Sequence, residues 1–204
     1  TKGSRSVAIG RAALANQNFT SATDVYNTAV GERAGVEVST GVQNTLIGGL
    51  AGDALTTGSE NIAIGMLALS SEDTGRKNVA IGTQALLTQN ANVDNYNTAV
   101  GYFAGREVTT GVQNTFIGAL SGDAITDADY NVGVGIGTLG ANVLGSKSTA
   151  VGTNALFSQK PVDGSGNDEA TDMFNTATGY HAGFAVTTGI KNTFVGGLAG
   201  DATT

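Results

Sequence analysis

The chain has 204 residues, of which 40% are hydrophobic and 13% charged, and its net charge is −7. This composition lies far from that of a disordered chain, and the negative charge argues against a nucleic-acid partner, which requires a basic surface. With 31 glycines, one proline and no cysteine, the chain is neither collagen-like nor built on disulfides. It has no apolar run long enough for a membrane span, and we expect no membrane insertion.

A five-residue segment recurs eleven times: a polar residue, two or three apolar residues and a glycine. The copies are SVAIG from Ser6, NTAVG from Asn27, NTLIG from Asn44, NIAIG from Asn61, NVAIG from Asn78, NTAVG from Asn97, NTFIG from Asn114, NVGVG from Asn131, STAVG from Ser148, NTATG from Asn175 and NTFVG from Asn192. Successive copies start 21, 17, 17, 17, 19, 17, 17, 17, 27 and 17 residues apart. This spacing predicts an all-β parallel β-solenoid, or β-roll, of about eleven rungs of roughly 17 residues.

We number the positions of a rung from its first polar residue. The second and fourth positions are mostly β-branched, as in Val79 and Ile81, and predict a strand. The third position faces the other way and is alanine, glycine or a bulky residue (Leu46, Phe116 and Phe194). A strand that is apolar on both faces is buried on both faces. We therefore expect a homotrimer, with the third-position residues lining its axis and with Phe116 and Phe194 filling that axis or a seam beside it.

The first and fifth positions are nearly invariant along the chain. Glycine at the fifth position indicates a positive φ or a close backbone approach, and asparagine at the first position is expected to form a hydrogen-bonded ladder at one corner. The glycines are Gly10, Gly31, Gly48, Gly65, Gly82, Gly101, Gly118, Gly135, Gly152, Gly179 and Gly196. The asparagines are Asn27, Asn44, Asn61, Asn78, Asn97, Asn114, Asn131, Asn175 and Asn192, with serine in the other two rungs.

A longer period lies above the rung. The rungs follow the order A, B, C, D, and they differ at the ninth position, which is leucine in types A and D and glycine in types B and C. Type C also has the bulky third position. The chain is thus one repeat domain, residues 1–204, with super-repeats of about 3–74, 75–144 and 145–204. We expect it to be part of a longer fibre, since neither end shows a capping unit.

The three longer spacings all fall between an A and a B rung. We therefore expect three loops, roughly 15–25, 87–95 and 157–173, at one corner and about 19 Å apart. Their polar residues and the aromatic residue at each loop exit suit sugar binding. The candidate receptor- or glycan-binding residues are Tyr26, Tyr96, Phe174, Asn18, Asn92, Asp163, Asp168 and Glu169. The alternative is that the loops bind nothing and the receptor site lies in a separate tip.

The sequence offers little for catalysis. The only histidine, His181, occupies a position held by Arg33 and Phe103 in the other B rungs, which is typical of a surface site. The acids around Asp163 and Asp168 lie beside glycines and a serine, as in a solvated loop tip, and show no calcium-loop spacing. We expect no enzymatic activity, no cofactor and no metal.

The strings SVAIG, NTAVG and NTFIG at rung spacing resemble the head repeats of trimeric autotransporter adhesins. NTAVGYFAG followed by TTGVQNTFIGALSG is similar to the fibre repeats of phage tail-fibre proteins. The resemblance covers nearly the whole chain, although its rung is longer than that of the adhesin heads. It implies a homotrimeric fibre or shaft segment of a phage or phage-like tail fibre, located on the virion, that contributes to attachment to a host-surface polysaccharide or other receptor. The alternative is the head domain of a bacterial surface adhesin, located at the cell surface.

Overall fold

Short strands joined by turns make up the structure, a computed structural model that describes residues 2–203 of the 1–204 repeat domain; Thr1 and Thr204 lie outside the described residues. The strands are β1 (Gly3–Ser4), β2 (Val7–Ile9), β3 (Thr23–Asp24), β4 (Thr28–Val30), β5 (Thr45–Ile47), β6 (Ile62–Ile64), β7 (Val79–Ile81), β8 (Thr98–Val100), β9 (Thr115–Ile117), β10 (Val132–Val134), β11 (Gly145–Ser146), β12 (Thr149–Val151), β13 (Thr171–Asp172), β14 (Thr176–Thr178) and β15 (Thr193–Val195).

The eleven three-residue strands form one parallel sheet, in which each strand pairs with the strands of the preceding and following rungs. The register follows the repeat, so that Thr98 pairs with Thr115 and Val100 with Ile117. The predicted parallel β-solenoid of eleven rungs is therefore confirmed. The four two-residue strands form two further parallel pairs, β1 with β3 and β11 with β13.

From Ala29 to Ala177, the third-position residues lie inside the coil of their own chain. Ala29, Leu46 and Phe116 are fully buried, and Phe194 packs against the same core. The prediction that these residues line an axis between chains is wrong, because their side chains fill the narrow interior of the coil formed by a single chain. The second and fourth positions face outward instead, and Ile62 and Ile117 are 37% and 41% exposed.

Core packing explains the four-rung period. Phe116, in a C rung, fills space left by the ninth-position glycines of its own rung and of the preceding one. A Cβ added at Gly122 would lie 2.4 Å from the Phe116 ring, and one at Gly105 would lie 3.0 Å from both Phe116 and Leu86. In the A rungs the third position is alanine, as at Ala80, and a ninth-position leucine such as Leu86 fills the core instead.

The fifth-position glycines stack backbone against backbone. Gly48 has φ +134°, and a Cβ added there would lie 2.5 Å from the carbonyl oxygen of Gly65 in the next rung. The same approach, at 2.2–2.8 Å, recurs from Gly10 to Gly179. Both the conformation and the contact require glycine at this position.

The corners are formed by residues in the left-handed region of φ, and most of these residues are not glycine. Among residues 2–203, twenty-six that are not glycine have φ between 49° and 63°. They occupy three positions of the rung: the residue before the first polar position, as Gln43, and the seventh and ninth positions, as His181 and Leu86. This conformation costs about 1–2 kcal/mol per residue, so the stacking of neighbouring rungs must hold it in place.

The asparagine ladder runs along the inside of one corner. Asn44 donates its backbone N–H to Oδ1 of Asn27, at 2.9 Å, and its own Nδ2 donates to the carbonyl oxygen of Gly58, also at 2.9 Å. The first bond joins two rungs and the second closes one rung on itself. Equivalent inter-rung bonds continue to Asn192, except at the loop that precedes Asn175.

Candidate functional site

The three A-to-B loops meet the solenoid at the same corner, because each returns alongside the rung that precedes it. In the first and third loops the return is a short parallel pair, Thr23–Asp24 with Gly3–Ser4 and Thr171–Asp172 with Gly145–Ser146. In the second loop a single parallel bridge joins Asp94 to Arg76. The loop exits therefore follow one line along the solenoid.

Each loop exit contains a base, an acid and an aromatic residue. In the second loop, Lys77 Nζ lies 2.5 Å from Asp94 Oδ2, 3.0 Å from the Tyr96 hydroxyl and 4.9 Å from the centre of the Tyr96 ring. The hydrogen bond between Lys77 and Asp94 raises the pKa of Lys77 and lowers the pKa of Asp94. The two charges thus hold each other in place.

The same arrangement occurs at all three loops. The groups are Arg5–Asp24–Tyr26, Lys77–Asp94–Tyr96 and Lys147–Asp172–Phe174. In the first and third groups the base lies 3.2 and 2.5 Å from the acid, and 5.4 Å from the ring centre in both. A cation over a ring stabilises an exposed site by about 0.5–1 kcal/mol.

The predicted aromatic residues are therefore held by charged neighbours but remain accessible. Tyr26, Tyr96 and Phe174 are 48–50% exposed, and consecutive members are separated by four rungs, about 19 Å. Each can offer a ligand the part of the ring that the base leaves uncovered.

The two predicted asparagines differ in how they are held. Asn92 Oδ1 accepts a hydrogen bond from the Thr74 hydroxyl at 2.6 Å, which ties the second loop to the rung before it. Asn18 is exposed, and its backbone N–H donates to the Ser39 carbonyl oxygen at 2.9 Å. The backbone bond leaves the Asn18 side chain at the surface.

Asp163 shapes the tip of the longest loop. Its Oδ1 accepts the backbone N–H of Asn167 at 2.9 Å and of Ser165 at 2.8 Å. These bonds lower the pKa of Asp163, and the bond from the Asn167 N–H has the largest effect. The carboxylate is thus used to hold a turn.

The other two predicted acids close the hairpin behind this turn. Asp168 forms an antiparallel bridge with Val162, and its Oδ1 lies 3.3 Å from Lys160 Nζ. Glu169 is exposed, and its backbone N–H donates to the Pro161 carbonyl oxygen at 3.0 Å. Residues 162–169 therefore form a hairpin held by bonds within the loop.

Sequence reasoning missed that a glutamine at the base of each loop faces inward: Gln89 and Gln159 are buried and Gln17 is partly buried. Oε1 of Gln89 accepts from Asn97 Nδ2 at 2.8 Å, and Oε1 of Gln159 accepts from Asn175 Nδ2 at 2.9 Å. Gln17 accepts equivalently at 3.2 Å. The signal was available, because glutamine stands seven residues after the glycine in all three A rungs, where the B rungs and the first two C rungs have an apolar residue.

A buried acid occupies the corresponding position of the first D rung. Glu72 is fully buried; its Oε1 accepts the Gly75 N–H at 2.8 Å and its Oε2 accepts from Asn95 Nδ2 at 3.2 Å. Burial raises the pKa of this carboxyl group. In the next D rung Asn142 takes the same place and accepts the Gly145 N–H at 2.9 Å.

A depression of about 360 Å³ lies on the turn after the sheet in the first four rungs. Its lining residues are Arg11, Glu32, Arg33, Gly49, Leu50 and Met66. Arg11 and Glu32 form an ion pair there. The depression thus presents one carboxylate paired with a guanidinium, and no second carboxylate faces it for acid–base chemistry.

Within residues 2–203, no three His, Asp or Glu side chains are grouped so that they could hold a metal ion. The same range has no helix of the length and hydropathy that crossing a membrane requires. Comparison with protein-family models, curated proteins and solved structures finds no match for this chain. The fold itself defines the class: a repeat protein with a parallel β-solenoid of eleven rungs.

Proposed function

We propose that the chain is a structural segment of a phage or phage-like tail fibre, that it assembles as a homotrimer, and that it contributes to attachment to the host surface. The observation that carries the proposal is the outward face of the eleven-stranded sheet. Two ranks of β-branched side chains follow this face without a covering layer in the chain. The proposed role requires no catalysis, cofactor or metal.

The two ranks extend along all eleven rungs, about 48 Å. The second-position rank is Val7, Thr28, Thr45, Ile62, Val79, Thr98, Thr115, Val132, Thr149, Thr176 and Thr193. The fourth-position rank is Val or Ile in ten rungs and Thr178 in one. The fourth-position rank is thus a nearly continuous apolar stripe beside a rank that alternates threonine with Val or Ile. An exposed apolar stripe of this length is typical of an interaction site.

Copies of the same chain are the partner that fits this surface. The ranks repeat with the rung, so a second copy in register would meet them with an equal repeat along its whole length. The number of three copies comes from the resemblance of the repeats to fibre and adhesin-head repeats. A fibre buried along this face would leave the turns and the loop corner exposed to a receptor.

The loop corner supports the attachment part of the proposal. It repeats an exposed aromatic ring, fixed by a base and an acid, at intervals of four rungs. Such rings beside polar groups suit a host-surface polysaccharide or another receptor.

The second candidate, the head of a bacterial trimeric surface adhesin, is favoured by the SVAIG string of the first rung. Both candidates use the same face for assembly and place the segment outside the cell, on a virion or on a cell surface. The neighbouring coding sequence separates them. A baseplate-attachment segment and a chaperone indicate the phage fibre, and a coiled-coil stalk with an outer-membrane anchor indicates the adhesin.

One experiment addresses both parts of the proposal. The wild-type segment and a variant that lacks residues 162–169 are compared by sedimentation equilibrium and by binding to host cells. The deletion shortens the spacing between the A and B rungs of the third super-repeat from 27 residues to 19, which is the corresponding spacing in the second super-repeat. We expect each protein to sediment at three times its own chain mass, which is 20.3 kDa for the wild type, and the deletion to weaken cell binding. A single-chain mass for the wild type contradicts the fibre, whereas unchanged binding limits the segment to a shaft.

A further inference from the structure

Four aromatic rings stack on one another at the turn that follows the sheet in the third super-repeat. The ring centres of Phe157 and Phe184 are 5.4 Å apart, those of Phe184 and His181 4.6 Å, and those of His181 and Tyr180 4.0 Å. The interplanar angles are 8°, 11° and 17°. Tyr180 ends the stack and is 57% exposed.

The backbone and the neighbouring rungs hold this stack in position. His181 has φ 53°, and its Nε2 lies 3.2 Å from Asn154 Nδ2 in the rung below. The ring of Phe157 covers Gly140, where an added Cβ would lie 2.8 Å from the ring. The stack is therefore fixed by the solenoid before any ligand arrives, which lowers the entropic cost of binding.

A shorter version occurs four rungs earlier, at the same positions of the second super-repeat. Tyr102 stacks on Phe103 with 3.8 Å between ring centres and an angle of 18°, and the Arg106 guanidinium lies 4.9 Å from the Phe103 ring. Tyr102 is 53% exposed. The first super-repeat has Glu32 at the tyrosine position, paired with Arg11. Two of the three super-repeats thus use planar groups to support an exposed tyrosine, with about 19 Å between the two.

We propose that the stack of Tyr180, His181, Phe184 and Phe157 is a binding platform for neutral hexopyranose chains, with the Tyr102 stack as its second contact. This inference rests on the attachment part of the proposed function and names a ligand class and a site apart from the loop exits. The axial C–H groups of a sugar ring pack against the uncovered face of a tyrosine, while its hydroxyl groups hydrogen-bond to neighbouring polar groups such as the Asn154 amide.

The net negative charge of the chain favours neutral over anionic polysaccharides as ligands. With a net charge of −7, the protein repels anionic polysaccharides at long range. A neutral chain has no such penalty, and one long enough to span four rungs can contact both tyrosines, which raises the apparent affinity over that of a single contact.

His181 provides a direct probe, because it is the only histidine of the chain. Its imidazole Cε1–Hε1 signal in a carbon–proton correlation spectrum reports on the stack without site-specific labelling. The assembled wild-type segment is titrated with maltohexaose, laminarihexaose and chitohexaose. We expect a saturable shift of the His181 signal with at least one of them, and loss of this shift in Tyr180→Ala.

The control is Tyr130→Ala, which removes a tyrosine of similar exposure that lies outside both the aromatic stacks and the loop exits, and it should leave the shift unchanged. The absence of a saturable shift with all three hexasaccharides overturns the proposal, and so does a shift that survives in Tyr180→Ala. Sedimentation of the same samples keeps the two proposals apart. A trimer without a shift removes the platform alone, and a single chain that still shows the shift removes the fibre alone.

Discussion

At the scale of the residue, the fold depends on backbone conformations that stacking enforces. The glycine column allows neighbouring rungs to approach within a distance that excludes a Cβ. The left-handed corners carry residues as different as Arg5, Tyr96 and Leu139. Sequence reasoning identified the glycines, since they are invariant, and missed the corners, because no shared side chain marks them.

Two adjacent glycines offer a matched test of the column. Gly48→Ala places a Cβ 2.5 Å from the Gly65 oxygen at φ +134°, whereas Gly49→Ala places one in open space. Strain and overpacking together should lower the free energy of unfolding by more than about 3 kcal/mol in the first variant. The second should change it by less than about 0.5 kcal/mol. Equal losses in urea unfolding would show that the close approach is not what requires glycine.

Glu72 should make stability depend on pH. Burial raises its pKa in the folded protein above the ordinary value of 4.5, so the folded state holds the proton more tightly than the unfolded state does. This contribution is fully present below pH 4.5 and is lost as the pH rises through the folded pKa. Glu72→Gln should therefore raise the melting temperature at pH 7 and lose this advantage at pH 4.

The second D rung supplies the reciprocal control for Glu72. Asn142→Asp places an acid at the equivalent buried position. Its melting temperature should therefore fall more steeply with rising pH than that of the wild type, which has no acid at this position. If the melting temperatures of Glu72→Gln and of the wild type stay parallel from pH 4 to pH 7, the assignment of this pH dependence to Glu72 is wrong.

At the scale of the element, the rungs differ in how they fill the coil. A and D rungs use a ninth-position leucine, whereas the C rung uses a bulky third position beside two glycines. The sequence pattern gave the rung length, the register and the common corner of the loops, since each follows from the spacing. It could not assign the two strand faces, because both are apolar. The clue was size, as alanine holds the third position in seven rungs and suits a narrow interior.

A double-mutant cycle tests whether the third-position and ninth-position side chains fill the same space in the core. Phe116→Ala should cost about 3–5 kcal/mol through the cavity it leaves. Gly122→Leu alone should cost at least about 1–3 kcal/mol, because its side chain meets the Phe116 ring. The double variant copies the alanine–leucine pairing of Ala80 and Leu86, so its loss should be smaller than the sum of the two by about 1 kcal/mol or more. Additive losses in denaturant unfolding would refute the complementarity.

At the scale of the whole molecule, the solenoid is built from contacts between neighbouring rungs, so a change at one rung acts locally. The same strand therefore carries two separable roles. Its third position holds the coil together, and its second and fourth positions form the face that we assign to assembly. The expectation that Phe116 lies between chains followed from assigning the third position to assembly and the second and fourth positions to the interior of the coil. With Phe116 inside, Phe116→Asp should unfold the rungs around it, because it buries a charge without a partner, and the β content in circular dichroism should fall.

The most direct test of the account compares two exposed residues that lie four positions apart in the chain. Ile117→Asp changes the outward face and Gln113→Asp an exposed corner of the same chain segment. Each variant is measured by sedimentation equilibrium and circular dichroism. The account predicts that Ile117→Asp sediments as a single chain with the β content of the wild type, while Gln113→Asp stays assembled. An Ile117→Asp protein that remains assembled like the wild type would contradict the assignment of this face to assembly.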